Sequence, residues 1–584
     1  MKNLKNVPEW NLSDFYSSPK DKKISLEIKN IEKASEKFSK DFVGKVSKLS
    51  ASQLFTAIET YEKISEQIGK ISSYSYLIYA ADLSNQANIS FYQNTSETLS
   101  KFESQLIFFT LELNKIDEKK LKSSELKKYQ PFIRDSRAFK KYQLSNELEK
   151  FSLEKNISGR NAFVRLFDET VSNLKFSYRG KVLSSQEIFN LLSNPDEKIR
   201  KDAAKSIGKT FEENSKTFAF ITNILAKDKA VEDEWRGFAK PISARNLSNF
   251  VEDEVVDLLV NQVKKNYVNI SHRYYKIKAK MLGKKVMNYW DRNAPLSKAE
   301  NKIIPWESAK NLVLEAYEEF SPEMRKIGEI FFKKNWIDAK VRAGKDSGAF
   351  SHSCVPSVHP YILMNYQGKT RDVMTLAHEL GHGVHQYLAR AQGALMAGTP
   401  LTLAETASVF GEQLTFQKIL KNEKNSEKKK LIIAAKVEDM INTVVRQIAF
   451  LEFETKVHAA RKNEEISLEQ LCKFWMDIQK ESLGSAFKFD EEYRFFWCYI
   501  PHFIHSPFYV YAYAFGDCLV NSLYGIYKSG KVKNFEEKYL AMLAAGGSKH
   551  HKEMLEPFGL SIADAKFWQA GLDVISGYID QLDE

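Results

Sequence analysis

TLAHELGHGVHQY, residues 375–387, decides how this chain is read. It carries three histidines, His378, His382 and His385, with Glu379 directly after the first. Val373, Leu376, Ala377, Leu380, Val384 and Leu388 recur at three- and four-residue spacing, the pattern of an amphipathic helix with one buried face. Gly368-Lys369-Thr370 can cap a helix starting near Arg371, and Asp372 then falls in the first turn, where the helix dipole favours negative charge. His378 and His382 stand one turn apart on one face of that helix, so two imidazoles can converge on a single ion. His385 lies about 10 Å along the axis from His378, at 1.5 Å per residue. Three successive turns do not easily meet at one metal, which leaves His385 as a residue behind the ligands, a substrate contact or part of the core. Glu379 projects roughly 100° round the helix from His378. It reaches beside an ion rather than onto it, where a general base takes a proton from water.

A third ligand has to come from elsewhere. An extended HExxHxxGxxH motif needs Gly and His where this chain has His385 and Leu388. TPLTLAETASVFGEQL (399–414) supplies an alternative. Thr399-Pro400 is a good helix start, and Glu405 follows among small and apolar residues, where a carboxylate is costly unless it is paired or ligating. It comes 23 residues after His382, enough for one turn and an antiparallel return. Glu412, two turns later, reads as an ordinary polar position or a residue supporting a ligand. The expected cofactor is one zinc ion per chain, held by His378, His382 and Glu405.

Upstream, AGKDSGAFSHSCVPSVHPYILMNYQGKT (343–370) is rich in Gly, Ser, Pro and β-formers. It predicts a loop and a small sheet next to the motif helix, with Tyr361 to Tyr366 as an edge strand on which an extended peptide could pair. His359, Tyr361 and the loop 347–353 become candidate substrate contacts. Elsewhere the texture is helical. Residues 25–43 and 50–71 repeat the amphipathic spacing, and Ser193-Asn194-Pro195-Asp196 is a strong helix start. With only 25 glycines and 14 prolines in 584 residues, a mostly α protein is expected. It divides into an N-terminal helical lobe, 1–195, and a catalytic region, 196–584.

The formal charge of +11 comes from lysines interleaved with acids, as in DEKKLKSSELKKY (117–129), so it describes a solvated helical surface rather than a nucleic-acid footprint. Four cysteines without a C-x-x-C spacing suit reduced thiols and a cytoplasmic location. The most apolar stretch, 495–520, is interrupted by His502, His505, Pro507 and Asp517, which argues against a membrane span. Within it Tyr509, Tyr511 and Tyr513 alternate downstream of the two histidines. Such an aromatic run is usually core. In a chain with a zinc site, its phenols and imidazoles become candidates for holding an oxyanion.

HELGHGVH, followed by LAETAS and preceded by SGAFS and VHPYILMNYQG, resembles oligoendopeptidase F of the thimet-oligopeptidase family of zinc metallopeptidases. The likeness extends to WNLSDFYSS (10–18), ISHRYYKIKAKMLG (270–283), IPHFIHSPFYVYAYAFG (500–516) and AAGGSKHHKEMLEPFGL (544–560), nearly the whole chain. It implies a two-lobed helical zincin-type peptidase enclosing a deep channel, with zinc on its floor held by His378, His382 and Glu405. It also implies internal cleavage of short peptides, with Glu379 as general base. The family's C-terminal histidine matches His502, and its tyrosines match Tyr513 first, then Tyr509 and Tyr511. His385 and His505 are further candidates for substrate contact. Where thimet-type members carry another tyrosine earlier in this loop, this chain has Ser506 or Pro507. A monomer or weak homo-oligomer is expected. Two alternatives stay open: a zinc carboxypeptidase on a related helical scaffold, and a basic helical nucleic-acid-binding or scaffold protein with a degenerate motif.

Overall fold

In a computed structural model of the chain, residues 6–296 and 303–583 are described. Helices dominate. Those that matter below are α1 (Ala51–Ala81), α2 (Glu197–Arg236), α3 (Trp306–Phe320) and α4 (Pro322–Lys333). Three short strands follow, β1 (Ile337–Asp338), β2 (Phe350–His352) and β3 (Tyr361–Leu363). After them come α5 (Thr370–Ala389), α6 (Thr406–Asn422), α7 (Val445–Arg461) and α8 (Tyr511–Ser529). The start signals act as the sequence predicts. Ser50 and Gln53 cap α1 reciprocally, and the Asp196 side chain accepts from the Lys198 N–H at the head of α2. Gly237, at φ 79°, ends the 40-residue α2 in the left-handed conformation that glycine adopts most cheaply.

The chain folds into two compact units that interleave along the sequence. One comprises Met1–Lys140, Asn301–Asn422 and Ile526–Ser561; the other comprises Lys141–Glu300, Glu423–Gly525 and Ile562–Glu584.

In the first unit α5 packs along α6, with α3 and α4 alongside. Glycine permits the close approach. A Cβ on Gly381 would run into the Ala407 carbonyl and lie 2.7 Å from the Ser408 Cα, so α5 and α6 meet almost backbone to backbone there. Gly411 makes room for the Tyr317 hydroxyl, which donates to the Ala377 carbonyl at 2.6 Å. The small sheet sits beside α5, and the Ser351 hydroxyl donates to Gln386 Oε1 at 2.7 Å. Its order is β1-β3-β2, with β1 parallel and β2 antiparallel to β3.

This corrects one expectation. The strand expected at the edge is the middle one, and it ends at Leu363 rather than Tyr366. Tyr361, Ile362 and Leu363 are all fully buried, which is why the segment reads as a continuous apolar run instead of an alternating one. The edges are β1 and β2.

In the second unit α2 packs against α7. Buried Asp291 bonds Arg200 at 2.7 Å and Lys284 at 2.6 Å, and it is held below its ordinary range because these cations and the Asn288 N–H outweigh the penalty of burial. The four cysteines are free. No helix among the described residues is long and apolar enough to cross a membrane.

Candidate active site

The spacing of α5 and the break between the next two helices assemble the cluster in the first unit. His378 and His382 project from α5 with ring centroids 4.8 Å apart and planes at 82°. Glu405 is not inside a helix. A short turn, Leu401–Ala404, ends just before it and α6 begins just after it, so its side chain turns back toward α5. Its Oε2 lies 3.5 Å from His378 Nε2 and 3.5 Å from His382 Nε2. The three ligand atoms lie within 4.8 Å of one another. No other group of three such side chains is found among the described residues.

Each of the three side chains has a partner behind it. His378 Nδ1 meets Glu412 Oε1 at 2.6 Å, which settles the open reading of Glu412: it orients a histidine. His382 Nε2 is turned toward Glu405. The Ser408 hydroxyl donates to Glu405 Oε2 at 2.7 Å. Sequence reasoning missed Ser408 and Gly381. The glycines were the available signal, since Gly381 and Gly411 sit within the two motifs that come together.

The donor set of two imidazoles and one carboxylate, with carboxylates behind and beside it, fits a zinc ion. Burial opposes protonation of His378, yet the hydrogen bond and charge of Glu412, helped by Glu405 and Glu379, lift it to about 9. Burial pushes His382 down to about 4 against the pull of Glu405. Glu379 is 6% exposed, and burial raises its carboxyl to about 7; Glu405 and Glu412 add to the rise, while His378 and the Ser351 backbone pull it down.

His385 is buried, burial pushes it down to about 4, and its Nε2 lies 3.2 Å from the Thr399 hydroxyl. It supports the segment leading to Glu405. His359 stacks on Trp336 with centroids 3.5 Å apart and meets Asp14 at 2.8 Å. Tyr361 is fully buried and donates to the Asn11 carbonyl at 2.9 Å. These two candidate substrate contacts are therefore engaged in packing the sheet.

The second unit brings together three of the aromatic candidates. His502 Nε2 lies 3.3 Å from the Tyr513 hydroxyl, and His502 also stacks on Tyr509 with centroids 5.9 Å apart. Tyr509 and Tyr513 meet edge to face at 5.3 Å. All three are partly exposed. Tyr511 turns away from them: it is fully buried and accepts from Asn249 Nδ2 at 2.7 Å. His505 is exposed and bonds Asp168 at 2.7 Å. The loop before α8 is tethered by residues that sequence reasoning did not mark. Glu454 accepts from the Phe508 N–H at 2.8 Å, Arg245 donates to the Pro507 carbonyl at 3.2 Å, and Arg160 donates to the His505 carbonyl at 2.8 Å.

Comparison with known proteins places this geometry. Residues 190–574 match the family described as Peptidase family M3, and residues 112–176 match Oligopeptidase F. An oligoendopeptidase F homolog of Borreliella burgdorferi is 30% identical over 95% of this chain and 94% of its own length. Oligopeptidase PepF of Bacillus subtilis is 26% identical over 100% and 88%. The crystal structure of oligoendopeptidase-F from Enterococcus faecium superposes with a TM-score of 0.70 at 22% identity, covering 96% of this chain and 97% of that one.

Proposed function

We propose, for a chain that belongs to peptidase family M3 and is a peptidase, zinc-dependent hydrolysis of internal peptide bonds in short oligopeptides. The observation that carries this is the convergence of His378, His382 and Glu405 beside the buried carboxyl of Glu379.

His378, His382 and Glu405 would hold the ion. Zinc supplies Lewis acidity, making water a nucleophile near neutral pH and polarising a carbonyl. Glu379 takes a proton from the attacking water and hands it to the leaving amine. Glu412 fixes the ring of His378. From the family resemblance alone, the Tyr513 hydroxyl is proposed as a donor to the developing oxyanion; His502 Nε2 lies 3.3 Å from it within the second unit. If substrate pairs with the sheet, it does so on β2 within the loop 347–353, because β3 has a neighbour on both sides and the N-terminal segment already bonds the chain flanking β1, with Ala339 N–H on the Pro8 carbonyl at 2.9 Å and Asn11 N–H on the Asn335 carbonyl at 2.8 Å. Four free cysteines, three of them buried, fit a cytoplasmic enzyme.

The test joins metal analysis to cleavage of an acetylated, amidated peptide carrying an internal quenched pair. One zinc per chain is expected, with internal cleavage abolished by a chelator and restored by zinc. Protein that takes up no zinc would refute the proposal. Release of residues only from a free C-terminus would establish the carboxypeptidase alternative instead.

A further inference from the structure

FEEKYLAMLAAGGS (535–548) is an apolar run that ends in paired glycines, and the proposed chemistry does not use it. Phe535, Tyr539, Met542 and Leu543 recur at three- and four-residue spacing, and they are the buried residues of a further helix, α9 (Phe535–Ala544). In the first unit α9 packs against α5. The Tyr539 ring is fully buried, with Phe410 4.5 Å away and Phe320 edge-on at 5.3 Å. Its hydroxyl donates to the Thr406 carbonyl at 2.8 Å. Thr406 is the residue directly after Glu405.

The same element also reaches the chain before Glu405. Gln392 Nε2 donates to the Ala544 carbonyl at 2.9 Å, at the end of α9, where carbonyls have no partner within the helix. The Gly547 N–H donates to the Met396 carbonyl at 2.8 Å. Paired glycines permit this approach. Gly546 has φ 52°, and a Cβ on it would lie 2.8 Å from the Met396 carbonyl oxygen; a Cβ on Gly547 would run into the Gly398 carbonyl. One continuous stretch, 539–547, therefore grips the backbone on both sides of Glu405.

We propose that Tyr539 and Gly547 are positioning residues for Glu405, a clamp formed by α9 and the turn after it that sets this carboxylate opposite His378 and His382. The proposal rests on the zinc reading given above. The break in the chain is what makes a clamp necessary. Inside a continuous helix the position of Glu405 would follow from the helix itself, but it lies between the turn Leu401–Ala404 and α6. A functional side chain has to be held to within about 0.5 Å of its working position. Ser408 bonds the carboxylate but belongs to α6 and moves with it. The contacts from Tyr539 and Gly547 are made to backbone carbonyls, so they fix the path of the chain before and after the break.

The experiment uses the full chain. Zinc affinity is measured by competition with a chromogenic chelator, under conditions where a urea titration shows each protein to be folded. The visible spectrum is recorded after loading with cobalt(II), since it reports the geometry of the ligands. Tyr539→Phe keeps the ring and deletes only the hydroxyl. Zinc affinity about fivefold weaker is expected, less than the loss of about 10–100-fold that follows removal of a ligand's direct partner. Gly547→Ala, at a position without positive φ, tests the contact with Gly398, and affinity about tenfold weaker is expected. Both variants should shift the cobalt spectrum. A merely structural role would lower the urea midpoint and leave affinity and spectrum of the folded protein unchanged, because stability does not alter how folded molecules bind. Should Gly547→Ala fail to fold, Tyr539→Phe decides. Wild-type affinity with an unshifted spectrum in Tyr539→Phe overturns the clamp and leaves the zinc reading standing. Wild-type protein that takes up no zinc removes that reading and the clamp with it.

Discussion

The motif helix α5 and the aromatic segment 502–513 both present histidines and hydroxyl or carboxyl groups at regular spacing, but the spacing is informative in only one of them. On α5 the period of the helix is itself the geometry. Residues four apart share a face, so His378 and His382 converge without help from anything distant. In the aromatic segment the alternation of Tyr509, Tyr511 and Tyr513 does not tell the three phenols apart. The backbone passes through a left-handed residue, Phe508 at φ 60°, and enters α8 at Tyr511. Tyr509 and Tyr513 then fall together across one helical turn, and Tyr511 points into the core. Local period sets the first arrangement; the second is set by Glu454, Arg245 and Arg160, far away in sequence.

The sharpest way to break this contrast is at Glu379. Glu379→Gln preserves shape and hydrogen bonding but cannot shuttle a proton. A fall in kcat of about 10³-fold or more is expected, with zinc content unchanged. Normal turnover in a zinc-loaded variant would remove Glu379 from its role.

Next comes the tyrosine pair. Tyr513→Phe should lower kcat by about 10²-fold, the scale of one oxyanion donor, with little change in stability. Tyr511→Phe should do the reverse. It strips Asn249 Nδ2 of its acceptor and costs about 1–3 kcal/mol of stability while kcat stays close to wild type. Equal kinetic effects in the two variants would mean that the alternation, and not the turn at Phe508, governs which phenol serves the reaction.

A smaller effect probes the support behind the ligands. Glu412→Ala frees the His378 ring, and competition with a chromogenic chelator should show zinc affinity reduced by about 10–100-fold. Unaltered affinity would mean that α5 alone orients His378.

The same contrast explains what was legible. The helical texture, the caps at Ser50 and Asp196 and the turn of α5 were readable, because each depends on neighbours within a few residues. The edge assignment of 361–366 failed because a strand's neighbours are set by β1 and β2, which lie about 25 and 10 residues away and pair according to packing rather than local pattern. Glu405 was expected inside a helix, and it sits at a break. The close approach of α5 and α6 at Gly381 gives the helix break its value by bringing Glu405 within reach of both histidines. Interleaved compact units were also beyond reach, since a linear division of the chain cannot express contacts among three separated segments.

The subtlest prediction concerns Glu454, the tether of the aromatic segment. It is 2% exposed, and burial lifts its carboxyl to about 8, with the Phe508 N–H and Arg245 pulling it partly back. An unfolded glutamate titrates near 4.3. Between about pH 4.5 and 8 the folded chain therefore keeps a proton that the unfolded chain has lost. This group's contribution to stability is fully present at low pH, declines as pH rises with a slope of at most about 1.4 kcal/mol per unit, and levels off above the folded value. Glu454→Gln retains an acceptor for Phe508 and cannot ionise. Urea midpoints at pH 5 and pH 8 should show the variant gaining on wild type as pH rises, with kcat preserved because the loop keeps its tether. Parallel midpoints would show that Glu454 holds the loop as an ordinary ionised carboxylate.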